Sequence, residues 1–269
     1  MARLGVLGWP VAHSRSPQMQ AAALAAIGLG DWRYQPLPVP PELFEETVCA
    51  LGPAGLLGAN VTVPHKRAAL AVATEATARA RAIGAANTLT FGPDGAIEAE
   101  NTDAPGLIAS LPRSPAGANA LVLGAGGSAR AAVWALLDAG AGQVSVWNRT
   151  PARAQALAQE LGARAVARAA PADLLVNCTS VGRGDPAETF KALPLAADSL
   201  DEYQCVVDLV YRDGETALLA EARLRGAQVV DGIEILVRQG ALSLERWTGR
   251  PSSPPALRCR EYRTASGLG

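Results

Sequence analysis

Ala120-Leu121-Val122-Leu123-Gly124-Ala125-Gly126-Gly127-Ser128-Ala129 decides the fold. The first four residues are an unbroken apolar run, the pattern of a strand buried on both faces. Gly124, Gly126 and Ala129 then fit the spacing G-x-G-x-x-A. In that spacing the first glycine makes a tight turn and the second lets the backbone approach a pyrophosphate. The small third residue lets the following helix pack closely on the strand. The start of that helix attracts phosphate charge. The helical pattern continues to about Ala139, which supplies the strand–turn–helix setting that the spacing requires.

Reading outward, Gln143 to Trp147 is the next strand, and it ends at Asn148-Arg149-Thr150 with Arg153 one turn further on. An NAD site uses Asp or Glu at this place to bind the ribose hydroxyls. No carboxylate stands here. Two guanidiniums and two small polar groups suit a 2′-phosphate instead, because arginine offers paired donors to phosphate oxygens. Further strand cores are Leu174 to Asn177, Val206 to Leu209 and Gln228 to Val230, separated by helical stretches at Pro151–Leu161 and Thr216–Arg225. Strands alternating with helices predict a parallel sheet covered on both faces.

The N-terminal third has its own pattern. Leu4 to Leu7 reads as a buried strand. A helix is expected from about Gln18 to Ile27, with Ser16 as its N-cap and Pro17 at its first position. Strands at Tyr34–Val39 and Gly58–Val63 flank a helix at Pro41–Leu51, and one long helix is expected from Pro64 to about Ile83. Asn87–Phe91 and Ile97–Glu100 read as a hairpin across Gly92-Pro93-Asp94-Gly95. The chain is therefore expected to be α/β with two domains. Residues 1–104 form the first, completed by a C-terminal helix within 236–269. Residues 105–235 form a Rossmann-type domain.

Composition narrows the function. Of 269 residues, 49% are hydrophobic and 18% charged, which suits a packed core and excludes disorder. A net charge of -1 gives nucleic acid no global attraction. No membrane helix and no secretion signal are expected. Cys49, Cys178, Cys205 and Cys259 match no metal-binding spacing, so no metal site and a reducing, cytoplasmic setting are expected. Of 24 basic residues 22 are arginines, leaving only Lys66 and Lys191, and there are six asparagines. Lys66 and five of those asparagines lie in short polar motifs, where an alanine-rich chain has kept uncommon residue types.

Those motifs carry a resemblance. Gly8-Trp9-Pro10 with His13-Ser14-Arg15-Ser16-Pro17, Asn60-Val61-Thr62-Val63-Pro64-His65-Lys66, Ile83-Gly84-Ala85-Ala86-Asn87-Thr88 and Asn101-Thr102-Asp103-Ala104-Pro105-Gly106 follow one another in order. The glycine turn, Asn148-Arg149-Thr150, Asn177-Cys178-Thr179-Ser180, Asp208-Leu209-Val210-Tyr211 and Gln239-Gly240 with Trp247-Thr248-Gly249 complete the series. Nearly the whole chain resembles the shikimate dehydrogenase family, which reduces 3-dehydroshikimate with NADPH, reversibly, on the route to aromatic amino acids.

The resemblance implies that Lys66 and Asp103 are the catalytic pair, Lys66 serving the carbonyl oxygen and Asp103 orienting it. It implies that Ser14 and Ser16 bind the substrate carboxylate. Asn60, Thr62, Asn87, Asp103 and Gln239 would meet the ring hydroxyls, and Tyr211 would close the pocket. Such a polyol site needs many donors and acceptors, because unpaired ones are costly once buried. NADP(H) would be held by Gly124, Ala125, Gly126, Gly127, Ser128 and Ala129, by Asn148, Arg149, Thr150 and Arg153, and by Thr179, Ser180, Leu209 and Gly232. His65 varies in the family, which favours a packing or surface role. The chain departs from the family at Gln20-Ala21, where His-Asn is usual, at Glu234-Ile235, where Gly-Met is usual, and at Asp213, where proline is common. A quinate-active paralogue and a non-catalytic NADP-binding regulator are the rival expectations, and a monomer or homodimer is expected.

Overall fold

The computed structural model describes residues 1–252. These fall into two compact units, one made of Met1–Gly106 and the described chain from Leu236, the other of Leu107–Ile235.

In the first unit, β1 (Arg3–Gly8), α1 (Ser16–Ala26), β2 (Arg33–Pro38), α2 (Phe44–Leu51), β3 (Leu56–Val61), α3 (Lys66–Val72), β4 (Glu75–Ala76), α4 (Ala78–Ile83), β5 (Thr88–Phe91), β6 (Ile97–Glu100) and the first half of α5 (Asp103–Ser110), which continues into the second unit, follow in order. The sheet runs β2-β1-β3-β5-β6-β4. β1 pairs in parallel with β2 and β3, and β5 is antiparallel to both β3 and β6. β2 tolerates Pro36 and Pro38 because it is an edge strand. Leu7, Val61, Leu89 and Ala99 of the sheet bury against Phe44 and Val48 of α2 and Ala69 of α3.

The single helix expected from Pro64 to Ile83 is broken. The chain instead runs along β6 as β4 between α3 and α4. Two threonines cause the break. Thr74 Oγ1 bonds both Ile97 O (3.1 Å) and Ile97 N (2.9 Å). Thr77 N donates to Ala99 O, and its hydroxyl caps α4 by accepting from Ala80 N (3.1 Å). An alanine-rich stretch keeps an apolar period through such a break, so the pattern did not show it. Ser16 also differs from expectation. It is the first residue of α1, the cap position is Arg15, and no side chain caps that end.

The second unit contains β7 (Asn119–Leu123), α6 (Gly127–Asp138), β8 (Gln143–Trp147), α7 (Pro151–Leu161), β9 (Arg164–Ala165), β10 (Leu174–Asn177), α8 (Thr189–Ala192), β11 (Cys205–Asp208), α9 (Ala217–Leu224) and β12 (Gln228–Val230). Its sheet runs β12-β11-β10-β7-β8-β9 with every pairing parallel. That is the doubly wound order in which strand order reverses beside the first strand. Alternate residues of the apolar strands face opposite layers. Val122, Val144, Val176 and Val207 pack on α6 and α7. Leu121, Leu123, Leu175 and Val206 pack with Leu218 and Leu219 of α9.

The last described helix, α10 (Gly232–Thr248), supplies the first unit from Leu236 onward. It starts four residues before the expected 236, because Asp231 Oδ1 accepts from Glu234 N (2.8 Å) and caps it. It ends at Thr248, with Gly249 and Pro251 following. Residues 253–269 of the expected C-terminal segment lie outside the described residues.

Candidate active site

The first unit gathers its polar motif residues at the starts of α3, α5 and the middle of α10. Lys66 is the first residue of α3, and Asp103 is the first of α5. Lys66 Nζ lies 2.6 Å from Asp103 Oδ2, with side-chain exposures of only 10% and 15%. Asn87 Nδ2 donates to the other carboxylate oxygen, Oδ1 (2.8 Å), and to Gln239 Oε1 (3.1 Å). Asn87 is itself fixed, because its Oδ1 accepts from Thr102 N (2.7 Å). The Lys66 backbone is tied to the same corner, since Ala86 N donates to Lys66 O (2.8 Å). A cation and a carboxylate held this closely, with the carboxylate locked by an amide, form a proton-handling pair that needs little rearrangement.

Asn60 belongs to the supporting layer. Tyr34 OH donates to Asn60 Oδ1 (2.7 Å), and Asn60 Nδ2 donates to Ser243 Oγ (2.9 Å) and Asn87 O (3.2 Å). Its amide thus has protein partners on both sides. Thr88, Thr102 and Ser243 share hydroxyl contacts of 2.9 to 3.3 Å in the same buried nest. Sequence reasoning assigned Tyr34, Thr88, Thr102 and Ser243 no role. For Ser243 a signal existed: Gln239, Ser243 and Trp247 recur every four residues and form one stripe of α10.

Glu100 was also missed. Burial pushes its carboxyl up, but the Arg79 hydrogen bond, the Asn101 N–H and the Thr77 hydroxyl outweigh this and hold it below the usual range. It thereby anchors the corner leading into Asp103. His65 is buried, bonds Val39 O (2.7 Å) and stacks on Phe44, which is a packing role. Burial lowers its pKa.

Ser14, Ser16 and Thr62 are held by bonds outside the Lys66 cluster. Ser14 Oγ accepts from Ser16 N (3.3 Å), and Thr62 is anchored by its backbone N–H to Leu7 O (2.8 Å). Tyr211 is half-buried and belongs to the second unit.

In the second unit the glycine turn sits at the C-terminal edge of the sheet. Gly124 has φ +112°, a left-handed conformation that favours glycine, and an added Cβ would lie 3.2 Å from the Cys178 backbone. Around Gly126 an added Cβ would meet nothing within 4 Å, so space for a ligand lies over the turn. α6 starts there without a side-chain cap and without an acidic residue in its first turn. Ala129 is fully buried against the sheet.

Gly124 N donates to Trp147 O (2.8 Å), which brings Asn148-Arg149-Thr150 beside the turn. Asn148 Nδ2 donates to Thr150 O (2.9 Å), shaping that bend. Arg149 and Arg153 are exposed, and among the described residues neither guanidinium has a partner. Cys178 N bonds Leu123 O, and Leu209 N bonds Asn177 O, so Thr179, Ser180 and Leu209 line the same edge. Gly232 passes so close to Leu209 that a Cβ would lie 2.6 Å from its carbonyl oxygen. Uncapped N–H groups, open space and two free guanidiniums fit a phosphorylated dinucleotide.

The second unit defines a dinucleotide-binding α/β protein, and the Lys66–Asp103 pair of the first adds the equipment of a proton-transferring oxidoreductase. The chain belongs to the shikimate dehydrogenase family. Residues 6–89 match the shikimate dehydrogenase substrate binding domain, and residues 108–180 match shikimate / quinate 5-dehydrogenase. The chain is 47% identical over 275 residues to shikimate dehydrogenase (NADP(+)) of Methylobacterium radiotolerans, covering 96% of this chain and 95% of that one. The crystal structure of shikimate 5-dehydrogenase from Thermus thermophilus, in complex with NADP(H) and shikimate, matches with a TM-score of 0.86 at 44% identity, covering 96% and 97%. A 5-ketofructose reductase from Gluconobacter sp. strain CHM43 matches with a TM-score of 0.83 at 31% identity, covering 95% and 96%. The fold alone therefore does not choose the ketone.

Proposed function

We propose that this chain catalyses the reversible, NADPH-dependent reduction of 3-dehydroshikimate to shikimate. The observation that carries the reading is the 2.6 Å contact between Lys66 and Asp103 inside a nest of amides and hydroxyls. When bound, NADPH supplies the hydride that reaches the carbonyl carbon. Lys66 meets the carbonyl oxygen, stabilises the negative charge that develops there and provides its proton. Asp103 keeps the ammonium in place, and it accepts a ring hydroxyl. Asn87 holds Asp103, so the carboxylate does not swing away when the ammonium loses charge.

Ring hydroxyls are met by Asn60, Thr62, Asn87, Asp103 and Gln239, and the substrate carboxylate by Ser14 and Ser16 with the N–H groups at the start of α1. The glycine turn from Gly124 to Ala129 and the α6 N-terminus hold the pyrophosphate. Arg149 and Arg153, with Asn148 and Thr150, hold the 2′-phosphate, and Thr179, Ser180, Leu209 and Gly232 line the rest of the cofactor path. Residues 1–104 with the C-terminal helix act as the substrate domain and 105–235 as the cofactor domain. Among the described residues Cys49, Cys178 and Cys205 form no disulfide, which suits a cytoplasmic enzyme, acting as a monomer or homodimer.

The test mixes the protein with shikimate or quinate and NADP or NAD and follows the absorbance of reduced cofactor. Turnover of shikimate with NADP is expected to be fastest. Preference for quinate would move the chain to the paralogous activity. Cofactor binding without turnover of either would make it a binding protein.

A further inference from the structure

The C-terminal edge of the second sheet holds a carboxylate that none of the chemistry above uses. Asp208, the last residue of β11, is fully buried. Its Oδ1 accepts from Asn177 Nδ2 (2.9 Å) and Val210 N (3.0 Å), and its Oδ2 accepts from Thr216 Oγ1 (2.8 Å). The three donors come from three segments: the end of β10, the stretch after β11, and the cap of α9. Thr216 Oγ1 also accepts from Leu219 N (3.4 Å), so the same hydroxyl caps that helix. Among the described residues no cation pairs with Asp208; its partners are an amide, a hydroxyl and a backbone N–H.

Asn177 passes the constraint onward. Its Oδ1 accepts from Thr179 N (3.1 Å) and Thr179 Oγ1 (2.7 Å), and Thr179 Oγ1 accepts from Val181 N (3.1 Å). Asn177 Nδ2 also reaches Val181 O (3.2 Å). A buried carboxylate without a cation is a poor stabiliser, because its desolvation is repaid only through hydrogen bonds. An apolar side chain would fill the space more favourably. It would not fix three polar segments in one arrangement.

We infer that Asp208 is a positioning residue for cofactor binding: through Asn177 and Val210 it holds the 177–182 and 208–211 segments in the arrangement that presents Thr179, Ser180 and Leu209 to the dinucleotide. The inference rests on the NADP assignment of this edge. Asp208 is closed off from solvent, so its effect on a bound cofactor passes through its neighbours. It acts through the relay Asp208–Asn177–Thr179 and through the Val210 backbone.

The experiment measures NADPH affinity by fluorescence titration and shikimate affinity by calorimetry without cofactor, for the wild type, Asp208→Ala, Asn177→Ala, their double mutant and Asp208→Asn. Leu218→Ala serves as a control, because it removes core volume from the same unit without touching the relay. Asp208→Ala and Asn177→Ala should each weaken NADPH by about tenfold, the effect of roughly one misplaced hydrogen bond. The double mutant should be no weaker than either single one, because both break one relay. Asp208→Asn keeps an oxygen for Asn177 and Val210 and should stay within about threefold of wild type. Shikimate affinity should be unchanged throughout, and Leu218→Ala should lower stability while leaving the NADPH affinity alone. If Asp208→Ala or Asn177→Ala binds NADPH as well as wild type, or if Leu218→Ala weakens it equally, the positioning role is overturned. Should Asp208→Ala fail to fold, Asn177→Ala decides alone. A wild type that binds shikimate but no NADPH would overturn the cofactor assignment and this inference together.

Discussion

Replacing Lys66 with methionine separates catalysis from packing. Methionine keeps most of the side-chain volume and loses the ammonium. Asp103 would then keep its Asn87 Nδ2 bond but lose its cation. Unpairing a buried ion costs about 3–5 kcal/mol, and the low end applies here because solvent still reaches part of the pair. The two side chains keep 10% and 15% exposure. Stability in urea should therefore fall by about 3 kcal/mol. Loss of the proton donor should lower kcat by about 10²–10⁴-fold. Adding Asp103→Asn removes the stranded carboxylate. The double mutant should recover at least about 1 kcal/mol relative to the sum of the single changes. It should recover no activity. NADPH affinity should stay near wild type in all three variants. A Lys66→Met protein that keeps more than half of the wild-type kcat would remove Lys66 from the mechanism. Additive stability losses would show that the two residues do not form the buried pair seen here.

Arg149→Ala should weaken NADP by about 10–150-fold, the worth of a charge-assisted hydrogen bond, while NAD loses far less; kcat/KM with both cofactors checks this, and equal losses would refute the 2′-phosphate role. Asp103→Asn should lower kcat much more than Asp94→Asn in the exposed turn, where φ is 58° and asparagine is tolerated; steady-state kinetics of the two variants decide. Burial pushes the Asp208 carboxyl up to about 6, so the native state holds its proton more tightly than the unfolded chain. The stability that this proton contributes is complete below the ordinary carboxylate range and is lost as pH rises through about 6. Between about pH 4 and pH 7 wild type should lose about 2 kcal/mol relative to Asp208→Asn, read from urea melts of both proteins. The comparison cancels His65, whose lowered pKa gives the opposite slope. Gly124→Ala should cost about 1–2 kcal/mol from its positive φ alone, measured by thermal melting, and should also weaken NADPH.

The doubly wound half was legible because its strands are buried on both faces. Leu121 to Leu123, Leu174 to Val176 and Val206 to Val207 are apolar runs too short for a helix, and each ends at a motif residue, Gly124, Asn177 or Asp208. The 66–83 stretch was not legible, because alanine carries almost no directional information. Ala69, Ala73, Ala76 and Ala80 continue a helical period straight through β4. What breaks the helix is the hydrogen bonding of Thr74 and Thr77 to β6, a tertiary effect absent from local sequence.

The same contrast runs through the site. Lys66 and Asn87 stood out as uncommon residue types in an alanine-rich chain, Asp103 and Gln239 were named through the family resemblance of their motifs, and the structure brings all four within one hydrogen-bonded cluster. Tyr34, Thr88, Ser243 and Glu100 stayed hidden because each is an ordinary residue in an ordinary strand or helix. Their value lies in the partner each one meets across the fold. Asn60 shows where the two kinds of information separate. Its motif marks it as important, yet both sides of its amide are taken by Tyr34, Ser243 and the Asn87 carbonyl. A substrate hydroxyl reaching Asn60 must either share one of those bonds or displace it. The Nδ2 groups of Asn60 and Asn87 have two hydrogens each but meet three oxygen acceptors each, so an acceptor can turn to a polyol hydroxyl without leaving either amide nitrogen unpaired.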